Sequence, residues 1–440
     1  MQKYLNLGKK LFPICRSLTG KGTLKTLRIL QSVVPELKIK KIKSGTKVFD
    51  WRVPNEWNIS EGYILDKNKK KIIDFKNNNL HVVNYSTSVN KILSRDELLE
   101  KIYSLPKQPE AIPYVTSYYK KNWGFCENYQ NKIKIKKKYQ KNDKFKAVIK
   151  TNFNNKGYLN YGELLIKGMV KKEILLSTYI CHPSMANNEI SGPIVTLALS
   201  KYFMKLKSNY SLRIIFVPET IGAISYIYKN LNELKRNIIG GYVITCIGDN
   251  RNYSYLSSKY NNSLSDKAAF ETFKRLKIKF KKYSFLKRGS DERQYNSPGV
   301  DLPIGSIMRT KYGEYPEYHT SLDNFKVVNL KGLTGGFEIA KEIIKNLMSK
   351  KITNIQRRIR KKKNKCPLVS VKCEPHMSKR NLYHSINFGQ KNIFMKYLDF
   401  IQFSDGTNSI LEIAKYIKIP LNNAKKIFNV LKKNNLVKII

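Results

Sequence analysis

EILLSTYICHPSMANNEISG, residues 173–192, runs from an apolar stretch into a polar cluster containing one of the chain's five histidines, then into an amphipathic segment. A short Ile/Leu-rich run with little polar alternation predicts a strand covered on both faces. SGPIVTLALSKYFMKL, 191–206, predicts a helix directly after it. Strand, loop and helix make the repeating unit of a parallel sheet, and the alternation recurs downstream. LRIIFVP (212–218), GYVITCIG (241–248) and DLPIGSIM (301–308) read as strands. ISYIYKNLNELK (224–235), DKAAFETFKRL (266–276) and NLKGLTGGFEIAKEIIKNLMSK (329–350) read as helices. The expected fold class is α/β, a mainly parallel sheet flanked by helices.

Outward from this core the composition changes. KVFDWRVP (47–54), LHVVNYSTSV (80–89) and AIPYVTSYY (111–119) alternate in short runs rich in Trp, Tyr and Pro, which predicts a β-rich insertion. The lysine-rich KIKIKKKYQKNDK (132–144) reads as a solvated loop or hairpin. Past residue 350 a basic run, RRIRKKKNK (357–365), leads to CPLVSVKCEP, where prolines break periodicity. The tail reads as NIFMKYLDFIQF, SILEIAKYI and LNNAKKIFNVLKKN, three helices closed by LVKII, the order of a winged helix-turn-helix. The expected domains are therefore 1–45 with 136–352 (α/β), 46–135 (inserted), 353–389 (basic linker) and 390–440 (winged helix).

With 440 residues and 41% apolar content the chain can bury a large core, and no apolar stretch is long enough to span a bilayer. Six scattered cysteines without a CxxC pair suit reduced thiols, and the start lacks a secretory h-region, so a cytoplasmic location is expected. The net charge of +51 is mostly lysine spread over the whole chain, which fits AT-rich coding better than a nucleic-acid footprint. Nucleic acid enters only through the winged helix, where Asn422, Asn423, Lys425 and Lys426 on the third helix are the candidates.

In open α/β sheets, sites form beyond the carboxyl ends of the strands. Those ends carry Cys181 and His182, then Glu219, then Asp249, and past the fourth strand Arg309, Tyr312, Glu314, Glu317, Tyr318 and His319. Imidazole plus carboxylate without clustered thiolates is the ligand set of a catalytic zinc site with an open position. Each residue also has a plainer role as a turn or cap, and their joint placement is what favours a metal. Asp323 reads as a partner that orients His319. LTGKGT (18–23) lacks the first glycine of a phosphate loop, and GxSxG and GxGxxG are absent. Cys181 as a nucleophile with His319 as base is a weaker alternative.

The order ANNEISG, PETIG, RGSDERQY and YHTSLD resembles that of the bacterial co-catalytic zinc aminopeptidases. LFPICRSLTG, SGTKVFDWRVPNEWNI, DFKNNNLHVV, IPYVTSYYKKNWGFC, CHPSMANNEISGP, RGSDERQYNSPGVDLP and KYGEYPEYHTSLD resemble an aminopeptidase-like family of unassigned function over nearly the whole chain. That resemblance implies a zinc-exopeptidase-like core, an inserted β-rich domain and a C-terminal winged helix. Carried over residue by residue, the family's strand-end His falls on Tyr179, with His182 nearby. Its bridging Asp falls on Asn188, its paired Glu on Pro218 and Glu219, its later Asp on Thr245, and its last His on His319. An amide at 188 cannot screen two adjacent dications, so one zinc is expected on His182, Glu219 and His319, with Asp249 a further candidate. Glu189 or Glu292 is the expected general base, and Asp291, Arg293, Tyr318 and Arg309 are the expected substrate contacts. The implied function is a metal-dependent aminopeptidase-like hydrolase of a peptide or amide in a small substrate, with a polysaccharide-biosynthesis context. The alternative is a catalytically degenerate binding or regulatory protein on that scaffold, coupled to the winged helix.

Overall fold

The computed structural model describes residues 1–351, 362–382 and 391–440. Its centre is an eight-stranded sheet. The four expected strands lie side by side and parallel, in the order Tyr210–Val217, Val170–Tyr179, Ile238–Ile244, Ile304–Met308. Alternate residues face opposite layers, as the pleat requires. Ile174 and Leu176 join a core beneath helices Gln2–Leu11, Lys21–Val33, Ser191–Phe203, Leu264–Arg275 and Leu330–Ser349, whereas Leu175 and Val243 join one beneath helix Ile221–Asn237. Both faces are covered, which is why these strands read as continuous apolar runs. Tyr179 pairs with Val217 at the strand ends, so the loops carrying His182 and Glu219 start level with each other.

The sheet grows at both edges by strands that the sequence reading missed. Tyr158–Ile166 and Lys38–Lys43 add antiparallel at one edge. Ser254–Leu256 pairs antiparallel with Ile304–Met308 at the other, followed by Lys281–Tyr283.

The insertion is a four-stranded antiparallel sheet, Lys71–Asp74, Glu56–Leu65, Lys144–Asn154, Val89–Ser94. Its long last strand lies beyond the expected boundary at 135, so the unit ends near 154. The lysine-rich stretch before that strand is a helix, Tyr129–Lys138, not a loop. Asn128 caps it by accepting the Asn131 amide at 2.8 Å, Ile135 is its buried residue, and Lys136, Lys137 and Lys138 sit at the negative end of its dipole.

The C-terminal unit also starts earlier than 390. Strand Val437–Ile439 pairs antiparallel with Pro367–Val369, inside the stretch taken for a linker. Of that stretch, 353–361 and 383–389, including most of the basic run, lie outside the described residues. Ser409 and Glu412 form a capping box that starts helix Ile410–Ile417, and Lys418 at φ 56° ends it. Helix Leu421–Lys433 follows after Pro420. The unit does not hang free: Phe400, Ile401 and Phe403 share one apolar cluster with Phe285, Met308, Tyr312 and Tyr315 of the α/β domain. Among the described residues no helix is long and apolar enough to cross a membrane.

Candidate metal centre

His182 lies in the loop after Val170–Tyr179 and is buried. Its Nδ1 is 2.8 Å from Glu189 Oε2, in the turn Ala186–Ile190 that opens helix Ser191–Phe203. Glu189 Oε1 is in turn 3.6 Å from Arg16 Nε, a fully buried guanidinium that donates to the carbonyls of His182 (3.0 Å) and Leu11 (2.7 Å). Burial pulls the His182 imidazole down, but the Cys181 and Glu189 groups outweigh it and hold it well above its ordinary value. Without a metal that state carries a proton on each ring nitrogen; the carboxylate keeps the one on Nδ1, so a metal would displace the one on Nε2 and bind there. That Nε2 is 3.5 Å from Glu219 Oε2.

Glu219 follows Tyr210–Val217. Its amide donates to Cys181 Sγ at 3.2 Å, and its Oε1 accepts Ser290 Oγ at 2.9 Å. The next residue, Thr220, has φ 63° and ψ −81°, a strained backbone for a β-branched side chain costing about 1–3 kcal/mol. Two residues of RGSDERQY over-determine it. Asp291 Oδ1 accepts the Thr220 amide at 2.7 Å, and Arg293 Nη2 donates to Thr220 Oγ1 at 2.6 Å.

His319 also has a left-handed backbone, φ 58°. Tyr318 stacks on its ring at 3.9 Å between centroids. The insertion supplies the remaining wall: Tyr114 donates its amide to the His319 carbonyl at 2.9 Å and meets both histidine rings edge-on, at 5.2 Å for His182 and 5.3 Å for His319. The Tyr114 and Tyr118 hydroxyls are 2.9 Å apart.

Two donors of a tetrahedral zinc bound at 2.0–2.1 Å lie about 3.3–3.4 Å apart, and two ligating imidazole rings have centroids about 5.2 Å apart. His182 Nε2 and Glu219 Oε2 at 3.5 Å fit the first spacing; the His182 and His319 rings, 5.5 Å apart, are close to the second, but the three residues do not bring their donor atoms all within 4.8 Å of one another, so His319 would have to turn to complete the set. A tighter set, Cys181, His182 and Glu189, has candidate donor atoms all within 4.8 Å of one another. It is better explained as a hydrogen-bonded chain, because Glu189 holds Nδ1 and burial pushes the Cys181 thiol up to about 11. That thiol state also argues against Cys181 as a nucleophile.

Tyr179, Asn188 and Thr245, the positions that the resemblance matches to metal ligands, bond to one another. Asn188 Nδ2 donates to Tyr179 Oη at 2.8 Å, and Thr245 Oγ1 donates to the same oxygen at 2.5 Å. All three are buried and neutral, so a second dication would find no carboxylate among them.

Several expected residues have other work. Asp249 is buried and accepts from Asn187 Nδ2, the Arg251 amide, and the Thr310 amide and hydroxyl; it braces loops and is not among the groups around His182 Nε2. Glu292 is fully buried; its Oε1 accepts from the Gly289 and Ser290 amides and Tyr312 Oη and its Oε2 from Ser306 Oγ, so it ties its loop to the strand Ile304–Met308. Glu189 faces Nδ1 and Arg16, away from the Nε2 side where a general base would act. Arg309 is buried, stacks on Tyr253 and bonds Asn252 O and Asn250 Oδ1, which commits its guanidinium to that loop. Asp291 is fully buried under Thr220. Asp323 accepts the Asn187 and Asn188 amides and Tyr315 Oη, fixing the turn that presents Glu189. Arg293 and Tyr318 are half-buried at the mouth beside half-buried Glu219 and His319. Arg16, Tyr114, Tyr118 and Ser290 escaped the strand-end reading because they come from other segments, and only the longer shared motifs pointed at them.

Sheet order, loop placement and wing together define an aminopeptidase-like α/β protein with an appended winged helix-turn-helix. The Bacillus subtilis zinc aminopeptidase superposes over 80% of this chain and 94% of its own, with TM-score 0.58 at 11% identity, a likeness of fold alone. The chain belongs to the DUF4910 family, a domain of unknown function matched over residues 5–350, and residues 364–439 match a winged helix-turn-helix family. A Clostridium acetobutylicum protein, provisionally named a polysaccharide biosynthesis protein with an aminopeptidase-like domain, is 40% identical over 99% of this chain and 96% of its own. A crystal structure of a provisionally named peptidase from that organism superposes over 100% of this chain and 96% of its own, with TM-score 0.75 and 37% identity.

Proposed function

We propose that the chain is a single-metal hydrolase of aminopeptidase-like type, cleaving a peptide or amide bond near the end of a small substrate in polysaccharide biosynthesis. The observation that carries this reading is the His182 Nε2 to Glu219 Oε2 pair, with Glu189 locking the far side of the imidazole. His182, Glu219 and His319 would hold the zinc, which would supply Lewis acidity to polarise a carbonyl and acidify water. The protein's own part is positional. Glu189 keeps the His182 proton on Nδ1, Ser290 fixes one oxygen of Glu219, and Tyr114 with Tyr118 closes one side so that a short substrate end fits better than a long chain. Arg293 and Tyr318 at the mouth offer contacts to its polar groups.

A binding role without turnover is the second reading. It is favoured by Pro218 standing where the aminopeptidases carry the paired carboxylate, and by the commitments of Glu189 and Glu292. Zinc-loaded protein assayed on amino-acid anilides and N-acylated amino sugars separates the two. The hydrolase reading expects turnover that Glu219→Gln lowers at least 100-fold. Zinc uptake with no turnover on either class supports the binding reading instead.

A further inference from the structure

The winged-helix unit meets the loop beside the candidate centre at several points, and Glu374 is the one that bonds Arg293 by its carboxylate. Glu374, buried within CPLVSVKCEP, lies where three parts of the molecule meet. Its carbonyl accepts Trp51 Nε1 of the insertion at 2.7 Å, and its amide donates to Gln294 Oε1 at 3.0 Å. Its carboxylate lies 3.4 Å from Arg293 Nη1, 3.8 Å from Arg288 Nε and 3.2 Å from Gln402 Nε2 of helix Lys391–Phe403. The same helix holds this loop at two further points, Asp399 to Arg288 Nη1 at 2.7 Å and Gln402 Nε2 to the Arg293 carbonyl at 3.0 Å.

This loop is the one that fixes Glu219, through Ser290 on its carboxylate and through Asp291 and Arg293 on strained Thr220. Resting on the single-metal reading, we propose that Glu374 is a positioning residue: through Arg293 it sets the strained turn after Glu219, so docking of the winged helix and geometry of the metal centre form one coupled equilibrium. Arg288 faces Glu374 and Asp399 out of water while half-buried Arg293 faces Glu374 from the mouth, and such ionic clusters contribute more to a defined geometry than to net stability. Strain at Thr220 gives the turn somewhere to relax when the clamp opens. A ligand that pulls the winged helix from its seat therefore loosens Glu219, and by reciprocity a metal at Glu219 tightens the seat.

The test uses full-length protein carrying Glu374→Gln, with Glu374→Asp as the conservative variant. Expected for Glu374→Gln are roughly 10-fold weaker zinc binding by calorimetry, an altered visible spectrum of the cobalt(II)-substituted protein, and partial return of both in Glu374→Asp. A metal-free measurement reads the same coupling. The Thr220 amide, bonded to Asp291 in the parent, should exchange with deuterium about 10-fold faster in Glu374→Gln. Unchanged zinc affinity, cobalt spectrum and Thr220 exchange in Glu374→Gln overturn the proposal. If the parent takes up no zinc, the single-metal reading fails, and Thr220 exchange alone decides whether Glu374 holds the turn.

Discussion

At the scale of single residues, three neutral side chains separate this site from a two-zinc one. Tyr179, Asn188 and Thr245 are not isolated changes, because Asn188 and Thr245 both bond the Tyr179 hydroxyl in a buried set, in which Asn188 Oδ1 alone is left without a partner. Restoring one carboxylate therefore should not restore a metal. Asn188→Asp is expected to lower stability by about 1–3 kcal/mol at neutral pH, since the new charge is buried without a counter-ion. Its zinc content, read by native mass spectrometry, should equal that of the parent. At this scale the sequence was informative about which residue types stand at the strand ends, because chain position puts His182 and Glu219 there. It was uninformative about direction. Nothing in GDNRN tells that Asp249 turns toward Thr310, or in RGSDERQY that Glu292 turns one oxygen onto its own loop and the other onto Ser306 of the neighbouring strand.

Among elements, the four central strands were legible because burial on both faces leaves an uninterrupted apolar signal. Lys38–Lys43, written KIKKIK, was hidden by its exposed edge position, and Ser254–Leu256 by its length of three residues. The lysine-rich helix was misread because its charge hides one buried Ile135 among nine exposed or half-exposed residues. Helix Leu330–Ser349 shows what the parallel core demands of its cover. A Cβ on Gly332 would sit 2.0 Å from the Gly248 carbonyl oxygen and 2.6 Å from that of Asp249, both backbone and so unable to rotate away. Gly332→Ala should push the helix off the sheet and cost about 2–3 kcal/mol, seen as a lower melting temperature, with the Asp249 loop displaced as well.

For the whole molecule, domain order was legible from shifts in composition, but boundaries were not. A strand's partner can be distant in sequence: Lys144–Asn154 belongs to the insertion through Glu56–Leu65, and Pro367–Val369 belongs to the wing through Val437–Ile439. Docking between domains left no sequence signal, because it depends on single residues such as Glu374 and Asp50. Asp50 of the insertion takes both nitrogens of Arg380 at 2.6 and 3.0 Å and the His376 amide at 2.7 Å. Burial raises its carboxyl, but Arg380, Lys379 and the His376 amide outweigh burial and leave it below its ordinary value. A depressed carboxyl stabilises the fold above the unfolded value of about 3.9 and loses that contribution as pH falls through the folded value. Acidification below about pH 4 should accordingly free the 362–382 segment before the central sheet melts. Hydrogen exchange at the His376 amide checks this, and Asp50→Asn should show the same release already at neutral pH.

The proposed function stands or falls on one metal per chain, held by His182, Glu219 and His319. Calorimetric zinc titration of the full-length protein, with Glu219→Ala and His182→Ala beside it, tests this directly. One zinc per chain, lost in both variants, is the predicted result; two per chain, none, or one retained after removal of His182 or Glu219 would contradict it.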